Sequence, residues 1–337
     1  MFKRILVPLD GSDRAEQALP VAARIARASG GSILLARVAT IPVTYGTFSG
    51  YSYLAEIVDA EMEEAHDYLK TIAQSTTLAG ITVETNVLYG AAAQTLLAMA
   101  MQFEADLIVM TSQGKTGVKR WLLGSVAQKI ARHSMIPVFI LREGGALPIG
   151  ARPDSSPLRA LVTLDGSVLA RAALEPAAQL IAALSAPAPG ALHLLRVVKP
   201  PTTNHPEDTP QDIEHWREQA LHKAKLYLQS MVEHLHDTPT GKLKPGLTWS
   251  VALSDDVAEA IIQVAEGGED AAGAGVYGRC DLIAIATHGR AGFQHWALGS
   301  VAERVLGATR LPLLIVRPTE VTLQNTTEEK VTVSHGL

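Results

Sequence analysis

The segment TSQGKTGVKRWLLGS, from Thr111 to Ser125, links an apolar strand pattern to an apolar helix pattern through glycine and hydroxyl residues. A second segment, THGRAGFQHWALGS from Thr287 to Ser300, follows the apolar run DLIAIA in the same way. In both segments, nine residues separate a first glycine from a Gly-Ser pair. A strand that leads through such a loop into a helix is typical of an α/β fold, and its repetition indicates two copies of one structural unit.

Each of the two loops has the composition of a phosphate-binding site. The first N–H groups of a helix lack partners within the helix, and a glycine before them allows an anion to come close. The alternative is that Gly-Ser is an ordinary N-cap at the end of a loop. That interpretation would be preferred for a single copy, because short motifs often match by chance. Two copies, each behind a matching strand, favour the phosphate site.

Length and composition favour a soluble protein with two domains. The chain has 337 residues, of which 47% are hydrophobic, so each half can bury its own core. The net charge of −5 offers no basic surface for nucleic acid, which we do not expect as a partner. The single cysteine, Cys280, cannot form an internal disulfide and fits a reducing, cytoplasmic setting. The sequence contains neither a signal-peptide pattern nor an uninterrupted apolar run of ~18 residues, so we expect no membrane partner.

Strand and helix patterns alternate along the first half of the chain. Short apolar runs predict five strands: RILVPL (4–9), SILLARV (32–38), ITVETNVL (81–88), DLIVM (106–110) and PVFIL (137–141). Helical spacing of apolar residues predicts four helices between them: 14–28, with Ser12 or Asp13 as its cap, 54–72, 91–103 and 124–133. This alternation predicts a parallel, doubly wound sheet.

The same pattern begins again near residue 158. RALVTLDGSVLARAAL repeats RILVPLDGSDRAEQAL, so that Asp165 corresponds to Asp10; further on, Val197 corresponds to Val38 and Gly246 to Gly80. The segment between the repeats is rich in glycine and proline, as linkers are. We therefore expect four parts: a domain at 1–142, a linker at 143–157, a second domain at 158–317 and a polar tail at 318–337.

The second repeat is longer than the first because of two insertions. One lies within 199–245 and the other at 267–278. The stretches 199–210 and 267–278 are rich in proline and glycine respectively, so we expect them to be mobile surface loops.

Several tempting motifs fail on their context. GKT at 114–116 would need a glycine at position 109 to form a phosphate-binding Walker loop, but Val109 lies there inside a strand. GAGVYG at 273–278 spells a dinucleotide-binding fingerprint, yet it precedes a strand and opens no helix. The histidines show no metal-ligand spacing, and no serine lies in a G-x-S-x-G elbow. We expect neither a zinc site nor serine hydrolase chemistry.

Taken together, these residues resemble the universal stress protein family in its tandem, two-domain form. The resemblance rests on VPLDGS after the first strand, on the R-V ending of the second, and on the glycine-bracketed loop before V-A-[EQ]. It covers residues 1–142 and 158–317. It implies a five-stranded parallel sheet of order 3-2-1-4-5 in each domain and, in one branch of the family, ATP bound at the loops after strands one and four. Open α/β sheets bind ligands at that point independently of family, because the strand order reverses there.

The resemblance also implies which residues hold the nucleotide. Asp10 and Asp165 would face the adenosine moiety, and Val38 and Val197 would present backbone groups to the adenine edge. The phosphates would be held by Gly114, Gly124 and Ser125 in the first copy and by Gly289, Gly299 and Ser300 in the second. The remaining candidate nucleotide-binding residues flank these positions: Pro8, Thr111, Gln113, Lys115, Val126, Ala286, His288, Arg290 and Val301.

Some of these residues also have a purely structural interpretation. Both aspartates lie in D-G-S turns, where an Asx-turn or a helix cap is frequent. For the two valines, plain burial in a strand is the stronger interpretation on sequence alone.

The two copies depart from the family pattern to different degrees. The first glycine of the family's G-x-x-G is Thr111 in one copy and Ala286 in the other, and the threonine brings more bulk to the ligand. We therefore expect a better-formed second site, although Lys115 and Arg290 could each attract an anion to their own copy and binding in both halves is favoured.

The implied function is that of a stress-response regulatory protein that binds ATP, or else AMP or ADP, without efficient turnover. Mg²⁺ could accompany ATP, and an unknown protein partner would read the nucleotide-bound conformation. One alternative is a weak ATPase or nucleotidyl-transferring enzyme of the same superfamily, although the sequence shows neither a carboxylate pair for a metal nor an S-G-G-x-D-S signature. Another is a scaffold with empty sites. The family also implies a homodimer of tandem chains.

Overall fold

The structure is a computed structural model, and it describes residues 1–39, 51–114, 123–142, 156–201, 209–238, 245–268, 278–287 and 298–318. The chain divides into two compact units, Met1–Ile149 and Gly150–Leu337. The linker after residue 142, the tail after residue 318 and most of the two predicted surface loops lie outside the described residues.

The first unit is a five-stranded parallel sheet with helices between its strands. Its elements are β1 (Arg4–Pro8), α1 (Asp13–Glu16), α2 (Ala18–Ser29), β2 (Ser32–Ala39), α3 (Tyr51–Ala73), β3 (Val83–Tyr89), α4 (Ala92–Gln102), β4 (Leu107–Thr111), α5 (Ser125–His133) and β5 (Val138–Leu141). The strand order is β3-β2-β1-β4-β5, and every pair is parallel. The predicted fold class and strand order are confirmed.

The second unit repeats this architecture. Its elements are β6 (Arg159–Thr163), α6 (Val168–Arg171), α7 (Leu174–Ser185), β7 (Ala191–Val198), α8 (Pro210–Asp237), β8 (Gly246–Leu253), α9 (Val257–Gly267), β9 (Leu282–Ala286), α10 (Ser300–Ala308) and β10 (Leu313–Val316). The strand order is β8-β7-β6-β9-β10, again with every pair parallel. The inner strands are apolar runs because helices cover both faces of a parallel sheet.

The first predicted helix, 14–28, is divided into α1 and α2 around Gln17. Pro20 has no N–H to donate to the carbonyl of Glu16, so the helix cannot continue unbroken through this point. Ser12 caps α1 by accepting a hydrogen bond from the N–H of Ala15 at 3.2 Å, which confirms one of the two predicted caps. The break keeps α1 short and places it directly after the turn that follows β1.

The register of the sheets corrects one correspondence between the repeats. Ile33 on β2 pairs with Val83, and its counterpart on β7, Leu192, pairs with Leu247. Gly246 therefore corresponds to Thr82 and not to Gly80. The correspondence drawn from the sequence was wrong because it aligned two glycines, whereas Gly80 lies before β3 with a positive φ of 78° and Gly246 begins β8.

One stretch of the second unit, Val168–Ser185, has the length and the mean hydropathy, 1.3, of a membrane-spanning helix. It is not an uninterrupted apolar run, because Arg171 and Glu175 lie within it. It comprises α6 and α7, and 61% of it is buried inside the protein. Its hydropathy is that of a core helix packed against β6 and β7.

A histidine lies in the core of the second unit. His193 on β7 is 1% exposed. Its Nδ1 lies 2.8 Å from Thr248 Oγ1 and its Nε2 lies 2.7 Å from Ser250 Oγ, so both ring nitrogens have hydroxyl partners on β8. Burial, together with the positive charge of Arg159, lowers the pKa of His193 to about 4. The imidazole is therefore neutral in the folded protein at neutral pH.

This pKa predicts a loss of stability in mild acid. The unfolded chain has the ordinary histidine pKa of 6.5, so between pH 6.5 and about 4 it binds a proton that the folded protein excludes. Above pH 6.5 His193 is neutral in both states and does not reduce the free energy of unfolding. Below pH 6.5 the free energy of unfolding falls with pH, by up to about 3 kcal/mol near pH 4. Urea unfolding across this range should show the slope in the parent protein and a much smaller slope in His193→Leu, the residue found at the equivalent position 34.

His193→Leu will also lower stability at neutral pH, because the hydroxyl of Ser250, a buried residue, loses its partner. The pH slope, and not the stability at one pH, is therefore the informative quantity. His222→Leu removes an exposed histidine from α8 and should leave the slope unchanged. An equal slope in the parent and in His193→Leu would contradict the assignment.

Candidate functional site

A cavity of about 130 Å³ lies at the carboxyl ends of the strands in the first unit. It opens between β1 and β4, where the strand order reverses. The cavity brings together nine of the predicted residues: Pro8, Asp10, Val38, Thr111, Gln113, Gly114, Gly124, Ser125 and Val126. Lys115 lies outside the described residues.

The second unit has a larger cavity, of about 270 Å³, in the same place. It brings together six of the predicted residues: Asp165, Val197, Ala286, Gly299, Ser300 and Val301. His288, Gly289 and Arg290 lie outside the described residues. The predicted residues that the structure describes thus lie at the same edge of the sheet in both units.

Each cavity also has an apolar wall that the sequence did not predict. It is formed by the helix after the third strand of each unit: α4 contributes Ala92 and Leu96, and α9 contributes Val257 and Ile261. These residues are spaced four apart and face one way. In the sequence, this apolar spacing is the same as that of a helix that faces the core. Only the fold shows that these residues line the cavity.

The helices α5 and α10 point their N-termini into the cavities. Gly124 and Gly299 occupy the N-cap positions, and neither has a side chain that could cap the helix. Each carbonyl accepts the first helical hydrogen bond, at 2.9 Å, from Gln128 and Glu303 respectively. The N–H groups of the next three residues precede that first bond, so they have no acceptor within the helix. A glycine N-cap therefore leaves these donors directed at the cavity, as an anion-binding helix terminus requires.

The N-cap glycines are held close to the end of the preceding strand. The N–H of Gly124 donates to the carbonyl of Ser112 at 2.7 Å, and the N–H of Gly299 donates to that of Thr287 at 2.7 Å. A Cβ added at Gly124 would lie 3.3 Å from the Ser112 oxygen, whereas one added at Gly299 would lie 2.9 Å from the Thr287 oxygen. Any side chain at Gly299 would therefore require the backbone to move.

Asp10 connects the turn after β1 with the loop after β4. Its Oδ1 accepts hydrogen bonds from Ser12, at 3.1 Å from the backbone nitrogen and 2.6 Å from the hydroxyl. This is the Asx-turn that the sequence allowed. Its Oδ2 lies so close to Gly114 that an added Cβ would overlap it. In the second unit, Asp165 Oδ1 accepts from the N–H of Ser167 at 2.8 Å, which repeats the turn.

The two strand-end valines are not simply buried in the sheet. Val38 and Val197 are both partly exposed, and each lines its cavity. The residue before each valine is an arginine, and consecutive side chains of a strand point to opposite faces of the sheet. Arg37 and Arg196 therefore lie on the face opposite the cavities.

The chemical composition of the cavities is simple. Among the described lining residues, each cavity has one ionisable side chain, its aspartate. Within the described ranges, no group of three or more histidine, cysteine, aspartate or glutamate side chains lies close enough to hold a metal ion. The arrangement can accept an anion at a helix terminus and a flat, partly apolar group against the aliphatic wall.

Comparisons with known proteins agree with the fold and with its duplication. The model of the universal stress protein family matches residues 1–142 and again residues 158–317. Universal stress protein MJ0531 of Methanocaldococcus jannaschii is 30% identical over 145 residues, which is 42% of this chain and 84% of that protein. A universal stress protein of Thermus aquaticus is 35% identical over 143 residues, 42% of this chain and all (100%) of that protein.

A solved structure has the same fold along nearly the whole chain. It is a putative universal stress protein from Pseudomonas aeruginosa, with a TM-score of 0.61 and 18% identity. The match covers 96% of each chain, so the likeness includes both units.

Proposed function

This chain belongs to the universal stress protein family, and we propose that it binds ATP, or the related AMP or ADP, as a stress-response regulatory protein. The observation that carries the proposal is the pair of glycine-capped helix N-termini, each facing an aspartate-bearing turn across a cavity. Two independent copies of this arrangement at the switch point of a sheet support a ligand with both phosphate and base.

The described residues fit such a nucleotide. The phosphates would meet the N–H groups of Ser125 and Val126 at the start of α5, or those of Ser300 and Val301 at the start of α10. The adenine would lie between the strand-end valine and the aliphatic wall. A helix terminus alone contributes about 0.3–1 kcal/mol toward an anion. Micromolar affinity, about −8 kcal/mol, would therefore need the phosphate contacts and the apolar pocket together.

We propose binding without efficient turnover. Phosphoryl transfer needs a group that orients the attacking water and charges that neutralise the transferred phosphate. The described lining residues offer one aspartate per cavity, and one of its oxygens already accepts from the turn. Mg²⁺ would thus enter with ATP, held mainly by the phosphates. Steady-state hydrolysis at rates typical of ATPases would instead favour the alternative of an enzyme.

The two sites should not bind equally. The second cavity is about twice as large, 270 Å³ against 130 Å³, and 270 Å³ is close to the lower end of small-molecule sites. Thr111 lies where the second unit has Ala286, and its Oγ1 donates to the carbonyl of Gln113 at 2.8 Å. The larger side chain at this position reduces the space in the first cavity. We propose that the second unit binds nucleotide more tightly.

Exchanging this one residue between the units should move their affinities toward each other. Thr111→Ala should strengthen nucleotide binding in the first unit, and Ala286→Thr should weaken it in the second, each by about tenfold, or 1.4 kcal/mol. Calorimetric titration of both variants and the parent separates the two sites by their affinities. If both variants titrate like the parent, this residue does not set the difference.

The identity of the ligand is tested directly on the purified protein. Mass spectrometry of small molecules released by denaturation should detect an adenine nucleotide, and calorimetry should show that ATP binds more tightly than GTP. Release of a different ligand class, with no heat from any adenine nucleotide, would overturn the proposal. Light scattering tests the homodimer of tandem chains, which stays a prediction, as do the cytoplasmic location and the protein partner.

A further inference from the structure

In each unit an arginine stacks on a tyrosine behind the turn that follows the first strand. Arg37 Cζ lies 5.2 Å from the centre of the Tyr68 ring, and Arg196 Cζ lies 5.0 Å from that of Tyr227. The turn glycine packs on the same guanidinium: a Cβ added at Gly11 would lie 3.5 Å from Arg37, and one at Gly166 would lie 3.0 Å from Arg196. The two clusters occupy equivalent positions, on the sheet face opposite the nucleotide cavities.

The cluster of the first unit is acidic. Arg37 pairs with Glu64 at 3.2 Å, and its side chain is only 8% exposed. Tyr68 donates a hydrogen bond to Glu16 at 2.9 Å. Burial, followed by this bond and by the charge of Glu16, raises the pKa of Tyr68. With Asp10 in the adjacent turn, the cluster contains three acidic side chains and one guanidinium.

The cluster of the second unit has the opposite charge. The last residue of α1, Glu16, is replaced at the end of α6 by Arg171, whose Cζ lies 5.8 Å from the centre of the Tyr227 ring. Glu64, four residues before its tyrosine, is replaced by Lys223, four residues before Tyr227. Arg171 and Arg196 thus lie against the Tyr227 ring, and Lys223 lies one helical turn before Tyr227 on α8. The acidic residue of the adjacent turn is Asp165, the counterpart of Asp10. The architecture is kept while the balance of charge is reversed.

We propose that Arg171, Arg196 and Lys223 form a binding site for a phosphate group, separate from the nucleotide cavity. Two guanidinium groups close to one aromatic ring present several N–H donors with the geometry that phosphate oxygens accept in pairs. Lys223 is exposed and both arginines are partly exposed, so an anion from solvent can reach them. Three cations against one carboxylate favour a multiply charged anion over a chloride or a single carboxylate.

The site follows from a difference between two copies of one fold, which gives it an internal control. Arg171→Glu combined with Lys223→Glu restores the charges of the first unit. Titration of sodium tripolyphosphate into the purified full chain should show binding that this double variant weakens at least about tenfold. The reciprocal variant, Glu16→Arg with Glu64→Lys, should create a second binding event in the first unit. ATP binding should change little in either, because none of these residues lines a cavity.

Three further variants, two of them controls, test whether tripolyphosphate binding depends on this cluster. Arg217→Glu with Lys225→Glu changes the net charge equally at exposed positions of α8 and should leave tripolyphosphate affinity unchanged. Lys223→Glu alone alters one exposed residue and should weaken binding even if the double variant folds poorly. Gly299→Val removes any tripolyphosphate binding at the start of α10 and should leave the binding that depends on Lys223 unchanged, because the substitution alters only the nucleotide cavity. Tripolyphosphate affinity that is equal in the parent and the Lys223→Glu variant, lost in Gly299→Val, or absent while an acidic peptide binds would overturn the proposal.

Discussion

Gly299→Val is expected to weaken nucleotide binding in the second unit at least about 100-fold, which corresponds to about 2.7 kcal/mol. Gly299 is the N-cap of α10, and an added Cβ would lie 2.9 Å from the carbonyl oxygen of Thr287. A backbone carbonyl cannot rotate away as a side chain can, so the start of α10 must move. The N–H groups of Ser300 and Val301 would then no longer be placed to bind phosphate.

Gly307→Val on the same helix is the matched control. Nothing lies within 4 Å of a Cβ added at Gly307, and this residue does not line the cavity. The control should bind nucleotide like the parent, and the substitution should not destabilise the helix, because glycine is the poorer helix former. The same calorimetric titration with ATP, applied to both variants, compares their affinities. Equal affinity in Gly299→Val and Gly307→Val, with both proteins folded, would show that α10 does not bind the phosphates.

Gly114→Ala is expected to destabilise the first unit by about 1–3 kcal/mol, within the range for a broken hydrogen-bonded turn. The added methyl group would overlap Asp10 Oδ2, so the carboxylate must leave its place. The hydrogen bonds that Ser12 donates to Oδ1 at 3.1 and 2.6 Å would be lost with it. Nucleotide binding in the first unit should fall together with stability, since Asp10 and Gly114 line the same cavity.

A double-mutant cycle separates this contact from a general effect of alanine. Asp10→Ala removes the carboxylate, so Gly114→Ala should cost much less in that background than in the parent. Urea unfolding of the parent, the two single variants and the double variant gives the coupling free energy. Additive effects at positions 10 and 114 would mean that the close approach of these residues does not matter for stability.

Much of the fold could be predicted because its causes are local. Buried parallel strands need continuous apolar runs, and β1, β4 and β5 each begin within one residue of their predicted start. The glycine-bracketed loops could also be placed beside the cavities, because a loop that follows a parallel strand and leads into a helix lies at the carboxyl edge of the sheet. The correspondence of Gly246 with Gly80 failed for the opposite reason, since register depends on pairing with β2 and β7 and not on matching residue types.

The parts of the site that could not be predicted are contacts between distant residues. Asp10 and Gly114 approach each other although 103 residues separate them, and the local motif around each residue does not reveal that contact. Leu96 and Ile261 look like core residues until the sheet places their helices over the cavity. The exchange of Glu16 for Arg171 is visible when the repeats are aligned, but its meaning depends on the tyrosine beside it.

Whether the two glycine-capped helices hold an adenine nucleotide can be decided by a single titration. ATP is titrated calorimetrically into the parent chain and into the combined Gly124→Val and Gly299→Val variant, with circular dichroism to confirm that both are folded. We predict two binding events of unequal affinity in the parent and neither in the variant. Unchanged ATP affinity in the folded variant, or no binding by the parent, would show that these helices are not the nucleotide site.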